Sequence, residues 1–276
     1  MNRNFILSIT TCFYLFGWTT TAKAESTLGK IQRTGVLRVA IREDAAPFGF
    51  KDSNNRLQGY CLDFFALLKS QLTKHLERDT LSLKLLKSIP ANRFSLLTNK
   101  VIDLECGPNT ITAEPPEGTN FSKGFFITGT QFLVRRKNQL NPNSDLNAAV
   151  LGIIANTTTA RYIKERYPEA TILGYRGVTA RNRGIQAVQQ GKIEAMISDG
   201  ILLRAEAQQQ GLPAVEYPLV PELPLTCDHY GMIISANDSE WRDFINTVID
   251  SPEAGALSKA WFGSLFNYIL PAKNFC

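Results

Sequence analysis

The chain has 276 residues, 30 of them basic and 25 acidic, which gives a formal net charge of +5. The basic residues are dispersed, and the densest run is Arg135-Arg136-Lys137, so the sequence does not favour a nucleic-acid-binding protein, which needs a clustered basic face. With two histidines, it has few ligands for a histidine-based metal site, and we expect no metal and no cofactor. The length is more than most single compact cores require and suits two lobes of ordinary domain size.

Residues 1–24 have the pattern of a secretory signal peptide. Arg3 gives a positive start, residues 5–18 are mainly apolar, and Ala22-Lys23-Ala24 puts small residues at the two positions that a signal peptidase reads. The apolar stretch is short for a membrane anchor. We therefore predict cleavage before Glu25 and a periplasmic location. Cleavage removes two basic residues and no acidic residue, which leaves 28 basic and 25 acidic residues.

The first half of the mature chain alternates predicted strands and helices. Strands are predicted at residues 37–41, 81–86 and 101–104 from alternating or β-rich patterns. Asp63 is predicted to cap a helix with apolar residues at helical spacing, and Asn92 to cap a short helix. Strands that alternate with helices indicate crossover units and a largely parallel sheet, and thus an α/β fold.

A long apolar run at residues 125–134 is predicted to cross into a second lobe, and residues 230–234 to return. Between them strands are predicted at 150–154, 171–173 and 193–197. One helix is predicted to start at Asn156-Thr157-Thr158 and another to include Ile185 and Val188. Two further helices are predicted at the end of the sequence, the last one capped by Ser251. We therefore divide the mature chain into lobe 1 (25–132), lobe 2 (133–229) and a return to lobe 1 (230–276). Two connections favour a hinge and a cleft between the lobes, where strand C-termini and helix N-termini converge.

A series of short motifs extends, in order, over nearly the whole mature chain. They are Arg42-Glu43-Asp44-Ala45-Ala46-Pro47-Phe48-Gly49-Phe50, Gln58-Gly59-Tyr60-Cys61-Leu62-Asp63, Asn92-Arg93-Phe94, Asp103-Leu104-Glu105-Cys106-Gly107, Gly129-Thr130-Gln131, Asn156-Thr157-Thr158, Gly191-Lys192-Ile193-Glu194-Ala195, Ser198-Asp199, Trp261-Phe262 and Ile269-Leu270-Pro271-Ala272-Lys273-Asn274. This set resembles the polar amino-acid-binding proteins of ABC importers, solute-binding protein family 3, and among them the glutamate/aspartate-binding branch. The resemblance implies the two-lobed type 2 periplasmic-binding-protein fold, a monomer that binds an amino acid or a related amine-bearing ligand, and a membrane permease as its partner.

The same resemblance implies three acceptors for a ligand's α-ammonium group. They are the carbonyl of Pro108, the hydroxyl of Thr110 and the carboxylate of Asp199. An ammonium group has three donors and no acceptor, so three oxygens, one of them anionic, suit it. Two simpler roles stay open: Thr110 as a strand-end hydroxyl and Asp199 as the cap of the following helix.

The sequence departs from the family at Pro115, where the resemblance implies an arginine that holds the α-carboxylate. Proline offers no donor for a bidentate grip. Arg42 and Arg181 could replace it, as could the start of the helix at Thr157 and Thr158, because free N–H groups there favour an anion. The alternatives are surface charge for each arginine and ordinary capping for the threonines. The ligand could also lack an α-carboxylate, or binding could be lost.

Four cysteines remain after removal of the signal peptide: Cys61, Cys106, Cys227 and Cys276. An even number in an oxidising compartment favours disulfides, and counting alone allows three pairings. The resemblance to glutamate-receptor ligand cores implies a bridge from Cys227 to Cys276 that staples the C-terminal tail. Cys61 and Cys106, both near strand or helix ends, form a second candidate pair.

Three functions are compatible with these patterns. The first is an import receptor, the second a non-transporting sensor of the same fold, and the third an enzyme on that fold, similar to dehydratases or lyases. An enzyme would need an acid or base in the cleft, and Glu43, Glu105 and Glu114 are the candidates. None has a visible catalytic partner in the sequence, and Glu105 is predicted to make a structural hydrogen bond beside the sheet.

Overall fold

The computed structural model describes residues 25–276 except 145, 266–268, 270–271 and 274–275. The predicted signal peptide lies outside the described residues. The helices are α1 (Thr27–Thr34), α2 (Tyr60–His75), α3 (Arg93–Thr98), α4 (Thr158–Arg166), α5 (Ala180–Gln189), α6 (Gly200–Gln209), α7 (Ser239–Ile249) and α8 (Pro252–Phe262). The strands are β1 (Val36–Arg42), β2 (Asp44–Ala45), β3 (Gly49–Lys51), β4 (Leu57–Gln58), β5 (Ser82–Ser88), β6 (Leu104–Cys106), β7 (Thr119–Phe121), β8 (Phe126–Thr128), β9 (Thr130–Val134), β10 (Val150–Ile154), β11 (Thr171–Tyr175), β12 (Ala195–Asp199), β13 (Leu219–Val220), β14 (Asp228–Tyr230) and β15 (Ile233–Ser235).

Lobe 1 is built on a five-stranded sheet in the order β5-β1-β6-β15-β7. β1 is parallel to β5 and β6, as the strand–helix alternation predicts, whereas the returning strand β15 is antiparallel to β6 and β7. Helix α2 buries Phe64, Leu68 and Leu72 at helical spacing against this sheet, in one cluster with Trp241 of α7. The returning segment therefore completes the core of the first lobe.

Lobe 2 repeats the plan with a sheet in the order β11-β10-β12-β9-β13. The strands β10, β11 and β12 are parallel, and β9 and β13 are antiparallel to the strands beside them. Phe132, Leu151 and Ile163 are fully buried in its core. Because parallel strands end at one sheet edge, each lobe presents its strand C-termini to the cleft.

Two short strands, β8 and β14, form an antiparallel pair where the chain crosses between the lobes. The prediction of one continuous crossing segment at 125–134 is therefore wrong in one respect. The segment forms two strands, β8 and β9, which are separated at Gly129. A side chain there would meet the carbonyl oxygen of Thr226 at 1.8 Å, so only glycine lets the two crossings approach this closely. Strand β9 starts at Thr130 and already belongs to the second sheet, a few residues before the boundary drawn at 132/133.

Two of the predicted capping side chains make no capping hydrogen bond, although Asn92 does stand at the N-cap position of α3. Helix α2 begins at Tyr60, after Gly59, and the carboxylate of Asp63 instead accepts a hydrogen bond from the indole of Trp261 at 2.8 Å. Asn92 precedes α3 without capping it, because its side-chain oxygen accepts from the Ile89 N–H at 2.8 Å. The predicted caps of α4 and α8 are confirmed: Thr157 accepts from Ala160 N and Ser251 from Ala254 N. The predicted strand at 101–104 begins only at its last residue, Leu104, because the preceding residues form the turn after α3.

The structure contains two disulfides, one between Cys61 and Cys106 and one between Cys227 and Cys276. The first joins the start of α2 to the end of β6 inside lobe 1. The second ties the return crossing to the last residue of the chain. No helix among the described residues is long and apolar enough to span a membrane.

Candidate functional site

All seven residues that the sequence predicts to contact a ligand line one small cavity between the lobes. They are Arg42, Pro108, Thr110, Thr157, Thr158, Arg181 and Asp199. The cavity is also lined by Arg93, Thr159, Ser198 and Leu202. The topology explains the convergence. Arg42 ends β1 and Asp199 ends β12, Pro108 follows β6, and Thr157 caps α4. We call this space the inner cavity; its volume is about 30 Å³.

Asp199 is a buried carboxylate, 6% exposed, that hydrogen bonds to both sides of the cavity. Its Oδ1 accepts from the hydroxyl of Thr159 at 3.0 Å, and its Oδ2 accepts from the hydroxyl of Tyr230 on the return crossing. Asp199 occupies the N-cap position of α6, as the capping alternative has it, but its side chain makes no capping hydrogen bond. Burial raises the pKa of Asp199, although the two hydroxyls and Arg181 oppose this shift.

Thr110 lies at the contact between the lobes. Its hydroxyl oxygen accepts from the Thr158 hydroxyl at 3.2 Å, and its own proton is directed to the carboxylate of Asp228. A hydroxyl that donates elsewhere keeps a lone pair for a second donor. The geometry therefore leaves Thr110 able to accept from an ammonium group.

Arg42 and Arg181 are each 3% exposed, so the surface-charge alternative is wrong for both. Arg42 forms a bidentate ion pair with Asp44, with Nε–Oδ1 and Nη2–Oδ2 distances of 2.7 Å. Burial opposes ionisation of Asp44, but the guanidinium outweighs it and holds the pKa of that carboxyl below its ordinary value. Arg181, from lobe 2, donates through Nη1 to the backbone carbonyl of Asp44 in lobe 1. Asp44 therefore binds both arginines, Arg42 through its carboxylate and Arg181 through its backbone carbonyl.

Arg93 is a cavity residue that was not among the predicted site residues. It starts α3, is 8% exposed, and donates from Nη1 to the carbonyl of Pro90 at 2.6 Å. Burial lowers the pKa of Arg93 to about 10, which leaves it cationic at neutral pH. The Nε atoms of Arg93 and Arg181 have no hydrogen-bond partner within the described parts of the chain. The motif Asn92-Arg93-Phe94 was the available signal for this residue.

The three glutamates considered as catalytic groups do not line the inner cavity. Glu105 is fully buried and accepts from Ser88 at 2.7 Å and from Asn109, as predicted, while burial raises its pKa. Glu43 pairs with Lys51 and Lys87 at 3.6 and 3.0 Å. Glu114 is exposed. The carboxylates that line the inner cavity and the cavity next to it are instead Asp199, Asp228 and Glu165.

A second, larger cavity adjoins the first on the far side of the Thr110–Thr158 contact. This outer cavity has a volume of about 280 Å³ and is lined by Thr110, Ile111, Thr112, Thr130, Thr158, Thr159, Arg161, Tyr162, Glu165, Thr226, Cys227 and Asp228. Asp228 is 7% exposed and accepts from the hydroxyl of Thr226. Burial, and then the charge of Asp199, raise the pKa of Asp228 to about 7. Pro115 lines neither cavity.

Within the described residues, no group of three or more His, Cys, Asp or Glu side chains is arranged to hold a metal ion.

Comparison with known proteins gives one consistent family. Residues 37–264 match the family described as bacterial extracellular solute-binding proteins, family 3. The chain is similar to the glutamate/aspartate import solute-binding protein of Salmonella typhimurium, with 27% identity over 91% of this chain and 83% of that protein. The protein of the same description from Escherichia coli is 26% identical, again over 91% of this chain and 83% of that protein.

Solved structures show the same fold. A substrate-binding protein of an ABC uptake transporter from Streptococcus pneumoniae, with bound histidine, superposes with a TM-score of 0.74, covering 87% of this chain and 98% of that one at 16% identity. An ancestral amino-acid-binding protein described as a precursor of cyclohexadienyl dehydratase gives a TM-score of 0.72 at 24% identity, covering 86% and 99%. At these identities the likeness concerns the fold alone.

Proposed function

Because the chain belongs to the bacterial extracellular solute-binding proteins of family 3, we propose that it binds an amino acid with an acidic side chain between its lobes and delivers it to an ABC importer. One observation carries the choice of ligand: three buried guanidinium groups and one buried carboxylate line the same cavity between the lobes. Relatives described as glutamate/aspartate import proteins support the same ligand class.

The charges around the inner cavity favour an anionic ligand with one ammonium group. Arg42, Arg93 and Arg181 carry three positive charges, of which Asp44 neutralises one. Asp199 would pair with the ammonium group of the ligand, and Glu105 does not line the cavity but accepts from Ser88 and Asn109. A side-chain carboxylate would supply the missing negative charge and accept from the free N–H groups of Arg93 and Arg181.

The ammonium group of such a ligand would lie at Asp199, Thr110 and the Pro108 carbonyl. The bond that Arg181 of lobe 2 makes to the Asp44 backbone of lobe 1 supports closure around it. The crossing strands β8 and β14 are the two connections about which the lobes would open. Thr157 and Thr158, at the start of α4, would add backbone N–H groups for a carboxylate.

Delivery implies a permease in the membrane and a periplasmic location after removal of residues 1–24. We propose that the mature protein acts as a monomer and binds neither nucleic acid nor a cofactor. The family and the relatives named above are binding proteins, which supports binding without chemical conversion. A dehydratase-like enzyme would return an altered compound, whereas a binding protein returns its ligand intact. A sensor of the same fold would bind the same ligand, but deletion of its gene would leave uptake of that ligand unchanged.

Calorimetry of the mature chain tests the proposal with L-glutamate, L-aspartate, L-glutamine and L-asparagine. We expect the two acids to bind more tightly than their amides. Arg93→Met should remove most of this difference, because it removes a guanidinium that faces the ligand side chain. Arg183→Met is the matched control, since Arg183 lies on α5 but outside the inner cavity. Equal binding of acids and amides, or no binding of any of the four, would reject the proposal.

A further inference from the structure

The inner cavity cannot hold a whole amino acid in the arrangement that the structure describes. Its volume of about 30 Å³ is far below the roughly 300 Å³ at the lower end of small-molecule sites. The outer cavity, at about 280 Å³, is close to that range. Thr110, Thr158 and Thr159 line both, so separation of the Thr110–Thr158 contact would join them into one cleft. A ligand anchored at Thr110 therefore extends into the outer cavity.

The tetrahedral α-carbon then decides where the α-carboxylate goes. With the ammonium group at Asp199 and Thr110, and an acidic side chain directed towards Arg42, Arg93 and Arg181 in the inner cavity, the remaining substituent points past Thr158 into the outer cavity. Glu165, also on its wall, repels a carboxylate, and so does Asp228 in the fraction that is ionised near its pKa of about 7. A cation in the outer cavity is needed to balance them.

Arg161 is the one basic side chain that lines the outer cavity among the described residues. It lies one turn from Thr157, near the positive N-terminal end of α4, where a cation opposes the helix dipole. The other basic residues of this helix, Lys164 and Arg166, are in its last turn, where the dipole favours them. The guanidinium is exposed and forms no salt bridge within the part of the chain that is described, Glu165 included. The dipole of α4 therefore disfavours the charge of Arg161, and its guanidinium is available to a ligand.

We propose that Arg161, on lobe 2, holds the α-carboxylate of the ligand in the outer cavity and thereby restores the guanidinium that Pro115 does not provide. This inference rests on the proposed function and names a specificity residue for the same cleft. The guanidinium would come from lobe 2, and two of the ammonium acceptors, Pro108 and Thr110, from lobe 1, so both groups of the ligand would be held only when the lobes are close.

The test compares ligands that differ in one group. L-glutamate and γ-aminobutyrate share the ammonium group and the side-chain carboxylate, and only L-glutamate has an α-carboxylate. Arg161→Met should raise the dissociation constant for L-glutamate by about 30-fold or more, equivalent to about 2 kcal/mol, the lower end for truncating a charged partner. The same variant should change the dissociation constant for γ-aminobutyrate by less than about 3-fold, under about 0.7 kcal/mol. Arg161→Lys should lie between, because an ammonium group keeps the charge without the fork.

Lys164→Met is the matched control, since Lys164 lies on the same helix and lines a different surface cavity. It should bind both compounds as the unmodified protein does. The inference is overturned if Arg161→Met leaves L-glutamate binding within about 3-fold, or if it weakens γ-aminobutyrate equally. If the unmodified protein binds neither L-glutamate nor L-aspartate, the proposed function fails and this inference fails with it; if it binds them, the function stands and the Arg161 variants decide the inference alone.

Discussion

The carboxyl group of Asp228 should give the protein a characteristic dependence of stability on pH. Asp228 is 7% exposed on the return crossing, hydrogen bonded to Thr226 and near the charge of Asp199. Burial, and secondly Asp199, raise its pKa from 3.8 to about 7. Between these two values the folded protein keeps a proton that the unfolded chain has lost. The free energy of unfolding therefore falls as the pH rises through this interval, and levels off above about pH 7.

The magnitude follows from the size of the shift. Each pKa unit corresponds to about 1.4 kcal/mol, so the full shift of roughly three units corresponds to about 4 kcal/mol. About 3 kcal/mol of this loss falls between about pH 5 and about pH 8, since the unfolded carboxyl is already largely ionised at the lower value. Asp228→Asn keeps the shape and the hydroxyl contacts of the side chain but cannot ionise. The stability profile of the variant should therefore be flatter over this interval.

Urea unfolding at about pH 5 and about pH 8 measures how much unfolding free energy each protein loses between the two values, and this loss is compared between the unmodified protein and the variant. The unmodified protein should lose about 3 kcal/mol more than Asp228→Asn over this interval, which cancels the contributions of all other titrating groups. Glu114→Gln, at an exposed carboxyl outside both cavities, is the control and should follow the unmodified protein. Parallel profiles for Asp228→Asn and the unmodified protein would refute the reasoning.

Four further outcomes are expected. Asp199→Ala should abolish binding of the ligand, and unchanged affinity by calorimetry would contradict the ammonium pocket. Pro115→Arg should raise the affinity for ordinary α-amino acids, measured in the same way; if it binds none, this loop does not reach the ligand. Replacing both Cys61 and Cys106 by serine should lower the free energy of unfolding by about 4 kcal/mol for a separation of 45 residues, and a urea midpoint equal to that of the unmodified protein would argue against the bond. Gly129→Ala should lower the melting temperature, because its side chain would meet a backbone carbonyl; an unchanged melting temperature would show that the crossings tolerate separation.

Sequence patterns predicted the architecture well because local hydrophobic periodicity and global topology agree in most elements. The strand at 37–41 and the helix containing Phe64, Leu68 and Leu72 are examples. The errors occurred where tertiary contacts override local signals. Asp63 has the chemistry of a cap, but Trp261, distant in sequence, takes its carboxylate. The break at Gly129 depends on the approach of Thr226, almost a hundred residues later, which no local pattern could show.

The sequence named residues that the structure brings together at one cavity, but it did not predict the hydrogen bonds among them. Arg42 and Arg181 could be located, but the sequence did not show that Asp44 holds both, because this depends on a backbone carbonyl as well as on a carboxylate. Asp228 was missed because a single aspartate before an apolar strand has no distinctive pattern. Its importance arises from the crossing, which brings it close to Asp199 and Thr110.

The Cys227–Cys276 bond has a consequence for where the protein can work. Cys227 forms part of the wall of the outer cavity, and its partner is the final residue of the chain. A chain that folds where thiols stay reduced would keep both sheets but lose the covalent link behind that wall. The covalent closure of this wall would then depend on passage into an oxidising compartment, where the bond between Cys227 and Cys276 can form.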